Sequence, residues 1–250
     1  MDLVTQTLGD DGVLLIALNR PDRRNAIDDA MTEALRAAFE RAASEAAVRA
    51  VILTGEGKAF SAGGDLSRFE RDWDPREFRH ESHKLTQLIS AVERLEKPTV
   101  AAINGVATGA GTQLALVCDV RLMAPGSRFV YREGRLGIIP SHGGVTRLVK
   151  LIGLARARDV ILGGEEVSAE AALAHGLVTA LAADVVAAAR ERVALMLERS
   201  PQAYAAAKRL LWLAANVDLE SGMVAEGLAQ SALIGTSEHK QAVEEARWRR

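Results

Sequence analysis

The 250-residue chain has one cysteine, six prolines, few aromatic residues and almost no charge imbalance, and each scarcity removes a class of explanation. With Cys118 alone, no internal disulfide can form, and its apolar setting LALVCDV reads as a small buried hydrophobe that suits a reducing cytoplasm. Acidic and basic residues leave a net charge of -2, and no Lys/Arg block is interleaved with aromatics, so no nucleic-acid partner is expected. The start, MDLVTQTLGDDG, lacks a basic region followed by an apolar core, so no secretory signal is expected. Only residues 98–118 run uncharged for about the length of a bilayer span. They change from β-branched to glycine-rich to Leu/Ala-rich along the way, which reads as a buried strand, a turn and a buried helix. No membrane association is expected.

What is present is an alternation of strands and helices. LVTQTL and VLLIALNR flank GDDG, a hairpin connection. Asp28 or Asp29 can cap a helix reaching Glu45, and AVILTG follows, an order that requires a parallel pairing through a crossover. The polar stretch 67–84 reads as a loop leading into a helix that ends near Lys97. PTVAAIN is a buried strand, TGAGTQLALVC a helix and DVRLMAP a strand. Beyond His142 the sequence is alanine-rich and helical apart from LVTAL, with Ser168, Ser200 and Asp218 as N-caps. The fold class is therefore α/β. Residues 1–195 form the expected core, and 196–250 an amphipathic helical annex that needs a surface to cover it.

Two glycine-rich turns follow strands. TGEGKAFSAGGDL can point successive backbone N–H groups into one concavity, and GVATGAGTQL opens a helix whose first free amides and dipole favour an anion. Taken alone, each also fits a turn that simply redirects the chain. Asp65 fits a helix cap, Glu133 a surface charge between arginines, and Gln113 a buried helix-start residue bonding the backbone. His80 and His83 share a helical face without a third ligand, so no metal is expected.

In combination these segments are distinctive. NRPDRRNAI (19–27), GKAFSAGGDL (57–66), AAINGVATGAGTQLALVCDVRLMA (101–124), YREGRLGIIPSHGGVTRL (131–148) and AEAALAHGLV (169–178) resemble, in order and spacing, the crotonase or enoyl-CoA hydratase/isomerase superfamily. The resemblance implies a crotonase (ClpP-like) spiral of β-β-α units and a C-terminal helical trimerisation region giving a homotrimer or homohexamer. It also implies an acyl-CoA thioester substrate, with coenzyme A part of that substrate and no separate cofactor. By position, Ala62 and Ala110 would donate backbone N–H groups to an oxyanion hole. Arg23 or Arg24 would lie near the CoA phosphates and Ala26 along the adenine, while Gly63, Gly64, Asp65 and Leu66 would frame the thioester.

Hydratases of that family hold a water between two glutamates. One falls at Glu133; the other falls at Gln113, an amide that can donate and accept hydrogen bonds but cannot exchange a proton near neutral pH. Ser141 keeps a backbone N–H that can help hold the water, and His142 stands where relatives have a small residue, either as a substitute acid/base or as a packed side chain. The expected enzyme is thus an acyl-CoA hydratase/isomerase using one clear acid/base, with isomerisation favoured. A non-catalytic acyl-CoA binder, or a hydrolase or C–C lyase using His142, are the alternatives. At the C-terminus Ala246 stands where relatives commonly have an aromatic, so the family's cross-subunit contact to the adenine is either absent or taken over by Trp248.

Overall fold

A computed structural model describes residues 2–164 and 166–248, apart from the Trp248 side chain, so the adenine contact proposed for Trp248 lies outside the described residues. The chain begins with β1 (Val4–Leu8) and β2 (Val13–Leu18), paired antiparallel as the GDDG turn requires. Then α1 (Asp29–Ser44) crosses over to β3 (Ala50–Gly55), which lies parallel to β2. The α1 cap is Asp28, whose carboxylate accepts the Met31 N–H at 2.8 Å.

From β3 onward the chain repeats one unit: a strand in a large sheet, a short strand in a small sheet, then a helix. The units are β3 with β4 (Ala59–Ser61) and α2 (Pro75–Arg94), β5 (Thr99–Ile103) with β6 (Val106–Thr108) and α3 (Gly109–Leu116), and β7 (Val120–Met123) with β8 (Arg128–Val130) and α4 (Gly144–Gly163). The α4 helix breaks at Gly153, where φ is 78° and ψ 161°. Next come β9 (Glu166–Ser168), α5 (Ala169–Ala174), β10 (Ala180–Leu181) and α6 (Val185–Leu197). The large sheet has the order β1-β2-β3-β5-β7-β10 and the small one β4-β6-β8-β9. The expected boundary at residue 195 falls in the last turn of α6.

Period-two alternation explains why the large-sheet strands read as continuous apolar runs. Val51 and Leu53 of β3, with Ala101 and Ile103 of β5, face a core shared with α1 (Met31, Leu35, Phe39) and α2 (Leu88, Ile89, Val92). Their neighbours Ala50, Ile52, Val100 and Ala102 face a second core closed by Val185, Ala189 and Val193 of α6. Both faces are covered, so both sets must be apolar.

The expected loop at 67–84 is partly wrong. Residues 75–84 are the first half of α2, because Asp74 accepts the Arg76 N–H at 2.8 Å and Pro75 occupies the first turn, where its missing N–H costs no helix bond. Strands β4 and β6 were also hidden inside glycine-rich stretches, each being only three residues long.

Three further helices end the chain: α7 (Pro201–Ala214), α8 (Leu219–Leu233) and α9 (Ser237–Trp248). Ser200 and Asp218 cap α7 and α8, as Ser168 caps α5. Leu211, Trp212, Leu219, Met223, Val224 and Leu228 are exposed on α7 and α8. No described helix is long and apolar enough to cross a membrane. One polar knot fastens α7 to the spiral. Asp119 Oδ2 accepts Thr99 N–H (2.8 Å) and Oγ1–H (2.9 Å), Tyr204 O–H (3.0 Å) and Lys208 Nζ–H (2.9 Å). The Asp119 and Lys208 side chains are 19% and 12% exposed, so removing the carboxylate leaves the ammonium with only the Lys97 carbonyl and the Tyr204 phenol without this acceptor. Asp119→Ala should therefore cost about 2–3 kcal/mol in urea unfolding and open the segment before α7 to limited proteolysis; unchanged midpoint and cleavage would contradict this anchoring role.

Candidate active site

The small sheet determines where the site lies. β4, β6 and β8 are successive second strands of the repeating unit and pair in parallel, with Ser61 against Ala107 and Thr108 against Val130. Their C-terminal ends therefore open side by side, and the segments leaving them are Ala62–Gly63–Gly64–Asp65, the start of α3, and Tyr131 to Glu133. In parallel sheets this is the end where ligands bind.

The turn after β4 is knitted to the segment after β2. Ala62 N–H donates to Arg24 O (2.8 Å), Ile27 N–H to Gly63 O (2.7 Å) and Asp65 N–H to Ile27 O (3.0 Å). The Ala62 amide is thus committed to Arg24, which corrects the expectation that it faces the site as an oxyanion donor. Two residues on, the Gly64 amide has no partner among the described residues. Gly63 takes φ +81°, and a Cβ there would meet Thr108 O at 2.6 Å, so the β4 and β6 turns touch through backbone alone.

At α3 the capping residue is Thr108, which gives its hydroxyl to Val130 O at 2.8 Å and caps nothing. The first-turn amides, Ala110 among them, have no bond within the helix, and Ala110 avoids the left-handed φ region. A side chain on Gly109 would begin 3.8 Å from Gly64 N and 4.0 Å from Glu133 Oε1. The hydrogen of Gly109 therefore leaves a space bordered by a free amide, a helix N-terminus and a carboxylate.

Glu133 is 9% exposed, and neither of its oxygens has a protein partner. Burial pushes its pKa above the ordinary carboxylate value. One turn after Gly109 on α3, Gln113 is 1% exposed with its amide O and N both unpartnered. That amide rests on the start of α4: a Cβ on Gly144 would lie 2.5 Å from Gln113 Nε2. Tyr131 O–H and Thr112 Oγ1 are also buried without partners, and burial together with the Glu133 charge raises the Tyr131 pKa, keeping the phenol protonated. Orphaned buried polar atoms are rare, and one of these, Glu133 Oε1, borders the space beside Gly109.

The remaining expected residues line the approaches. Arg23 and Arg24 are exposed on the turn after β2, and Ala26 is buried there with its carbonyl accepting Arg20 Nη1–H at 3.0 Å. Asn25 holds this turn in place, donating to Ala59 O (2.8 Å) and Glu56 O (2.9 Å) from a wholly buried amide. Asp65 caps the turn Leu66–Arg68 by accepting Ser67 N–H (3.2 Å) and Oγ–H (2.9 Å), and these bonds lower its pKa. Leu66 is exposed. The Ser141 amide has no partner among the described residues. His142 is half-buried, with Nδ1 2.9 Å from Thr86 Oγ1; burial first, then the Arg68 charge, push its pKa down to about 4, so it is neutral at physiological pH. Cys118 is buried and its thiol is pushed up to about 12, which makes it inert. Among the described residues no three His, Cys, Asp or Glu side chains gather as a metal site.

A family model described as Enoyl-CoA hydratase/isomerase matches residues 9–247. The chain belongs to that family. A probable enoyl-CoA hydratase of Mycobacterium tuberculosis is 44% identical over 186 residues, covering 74% of this chain and 72% of that protein. A 2,3-dehydroadipyl-CoA hydratase of Escherichia coli is 34% identical over 239 residues, covering 92% and 90%. Among solved structures, an enoyl-CoA hydratase from Bacillus anthracis superposes with a TM-score of 0.93 at 33% identity, covering 99% and 97% of the two chains. One from Mycobacterium smegmatis gives 0.94 at 29%, covering 100% and 98%. The α/β spiral is the crotonase fold.

The residues that sequence reasoning missed follow from bonding rather than residue type. Gly64 replaces Ala62 as the free amide, and Thr86, 56 residues from His142, carries no local signal. The buried Glu133 charge also has a thermodynamic consequence. Its folded-state pKa lies above the unfolded value, so the folded protein gains stability as pH falls through the raised pKa and carries the penalty above it. Glu133→Gln should therefore raise the thermal midpoint at neutral pH, with the gain vanishing below the ordinary carboxylate pKa; a lower midpoint at neutral pH would contradict an unpaired buried charge.

Proposed function

We propose that this protein is an acyl-CoA-processing enzyme of the hydratase/isomerase family that moves a proton on an enolisable thioester with Glu133 as its acid/base. The observation that carries this reading is the space beside Gly109, where an unpartnered, buried Glu133 carboxylate meets the free Gly64 amide and the start of α3. In a 3-enoyl thioester the Glu133 carboxylate takes the α-proton. The electron pair moves to the thioester oxygen, and the resulting dienolate accepts hydrogen bonds from the Gly64 and Ala110 N–H groups. Protonated Glu133 then returns the proton at the γ-carbon, so the double bond shifts into conjugation and no water is consumed. Losing one such amide typically costs about 3 kcal/mol of transition-state stabilisation.

The relatives are named hydratases, and hydration needs one group to take a proton from water while another delivers one to carbon. Gln113 offers an amide at the second position, buried and able only to hydrogen-bond. That favours isomerisation over two-acid hydration. Coenzyme A enters as part of the substrate and no other cofactor is invoked. The exposed apolar side chains of α7 and α8 suit packing against further copies of the chain as a homotrimer or a pair of trimers, which light scattering of the purified protein would reveal as a mass of three or six chains.

Two substitutions test the reading. Glu133→Gln should lower isomerisation of a 3-enoyl-CoA by about 10²–10⁴ while leaving the Kd for a saturated acyl-CoA within about twofold. A variant that keeps full activity would end the assignment, and tight acyl-CoA binding by a wild type inactive on a broad panel would favour a binding protein. Gln113→Glu should raise hydration of a 2-enoyl-CoA more than isomerisation; no gain in hydration would remove the argument from the missing acid.

A further inference from the structure

We infer that His142 is a positioning residue, through which α2 holds the turn 141–144 and, with it, the Gln113 amide and the Ser141 N–H. The inference rests on the reading of the site above and extends it to residues outside the proton-transfer step. His142 takes φ +55°, the left-handed region, which is uncommon for a residue with a side chain even though histidine enters it more readily than most. Two ties hold the residue there. The His142 ring is hydrogen-bonded through Nδ1 to Thr86 Oγ1 at 2.9 Å. The His142 carbonyl accepts Arg147 Nη1–H at 2.6 Å, and the same guanidinium is held by Glu93, with Nε to Oε1 and Nη2 to Oε2 both at 2.7 Å. Thr86 and Glu93 are two turns apart on α2, so one face of that helix grips both side chain and backbone of the turn.

The glycines of the turn show what the grip positions. A Cβ on Gly143 would fall 2.2 Å from Arg147 Nη1, so the guanidinium lies directly over the turn. A Cβ on Gly144 would fall among the Gln113 amide atoms, at 2.5 to 2.8 Å. Moving the turn therefore moves the surface on which Gln113 rests. His142 makes no hydrogen bond to Glu133 or Gln113 among the described residues; its one side-chain bond goes to Thr86. Burial and the Arg68 charge keep the ring neutral, so it adds no positive charge to the turn.

The test uses the full chain with Thr86→Val, Thr86→Ser, His142→Ala and His142→Asn. Kinetics are measured on the best enoyl-CoA substrate, and hydrogen–deuterium exchange on the peptide covering 138–148. Thr86→Val and His142→Ala should each lower kcat about tenfold with KM within about twofold, since misplaced groups lose rate before affinity. The double variant Thr86→Val with His142→Ala should be no slower than His142→Ala alone, because both substitutions break one tie. Thr86→Ser should restore the bond, and His142→Asn, which tolerates left-handed φ and can still reach a hydroxyl, should recover most of the loss. The peptide should exchange faster in both bond-breaking variants. A Thr86→Val enzyme with wild-type kcat beside an inactive His142→Asn would overturn the inference in favour of proton transfer by His142, and unchanged kcat in all variants would overturn it outright. A wild type without turnover would defeat the functional reading instead; exchange then decides this one, and unaltered exchange in Thr86→Val would overturn it.

Discussion

The contact on which the rest of the site depends is the approach of the Gly63 backbone to the Thr108 carbonyl, where a single added carbon would lie at 2.6 Å. It clamps the turn after β4 against the start of α3, so the Gly64 amide and the free amides of the helix open onto the same space. Only glycine meets both demands there, a positive φ and no side chain. The hydrogen bonds from Ala62, Ile27 and Asp65 fix the other side of the turn to residues 24–27. A concavity bordered by backbone amides is thereby built without any cationic side chain, which is what the proposed stabilisation of a developing oxyanion would use.

Against this cradle the protein places a carboxylate at a cost. Glu133 is buried without a partner, which disfavours its charged form and raises its basicity. Gln113 lies in the same buried region but carries no charge. A second carboxylate there would repel the first, whereas the amide avoids that repulsion and gives up a second proton carrier. On the proposed reading, one uncharged amide thus accounts both for the avoided repulsion and for the preference for a single acid/base.

Several features were legible in the sequence because their causes are local. Asp28, Ser168, Ser200 and Asp218 cap helices through bonds spanning three residues, and the GDDG hairpin forms within its own neighbourhood. The parallel crossover followed from element order, while the roles given to Glu133, Gln113 and Ala110 rest on a resemblance of motifs in spacing and order. What was misread was masked by local charge or too short to show. Residues 67–84 looked like a loop because their charges hid the Asp74–Pro75 helix start, and β4 and β6 are too short to carry a period.

Sequence alone determined the α/β class, the helix starts, the glycine turns and the chemical limits of the side chains: one carboxylate, one amide and no disulfide. Only the tertiary structure decided which amide is free. Ala62 and Gly64 stand two residues apart in one turn, and the carbonyl that occupies the first belongs to Arg24, 38 positions earlier in the chain. It likewise decided that Thr86 and Arg147 hold His142, because a hydrogen bond depends on positions in space that no local pattern encodes.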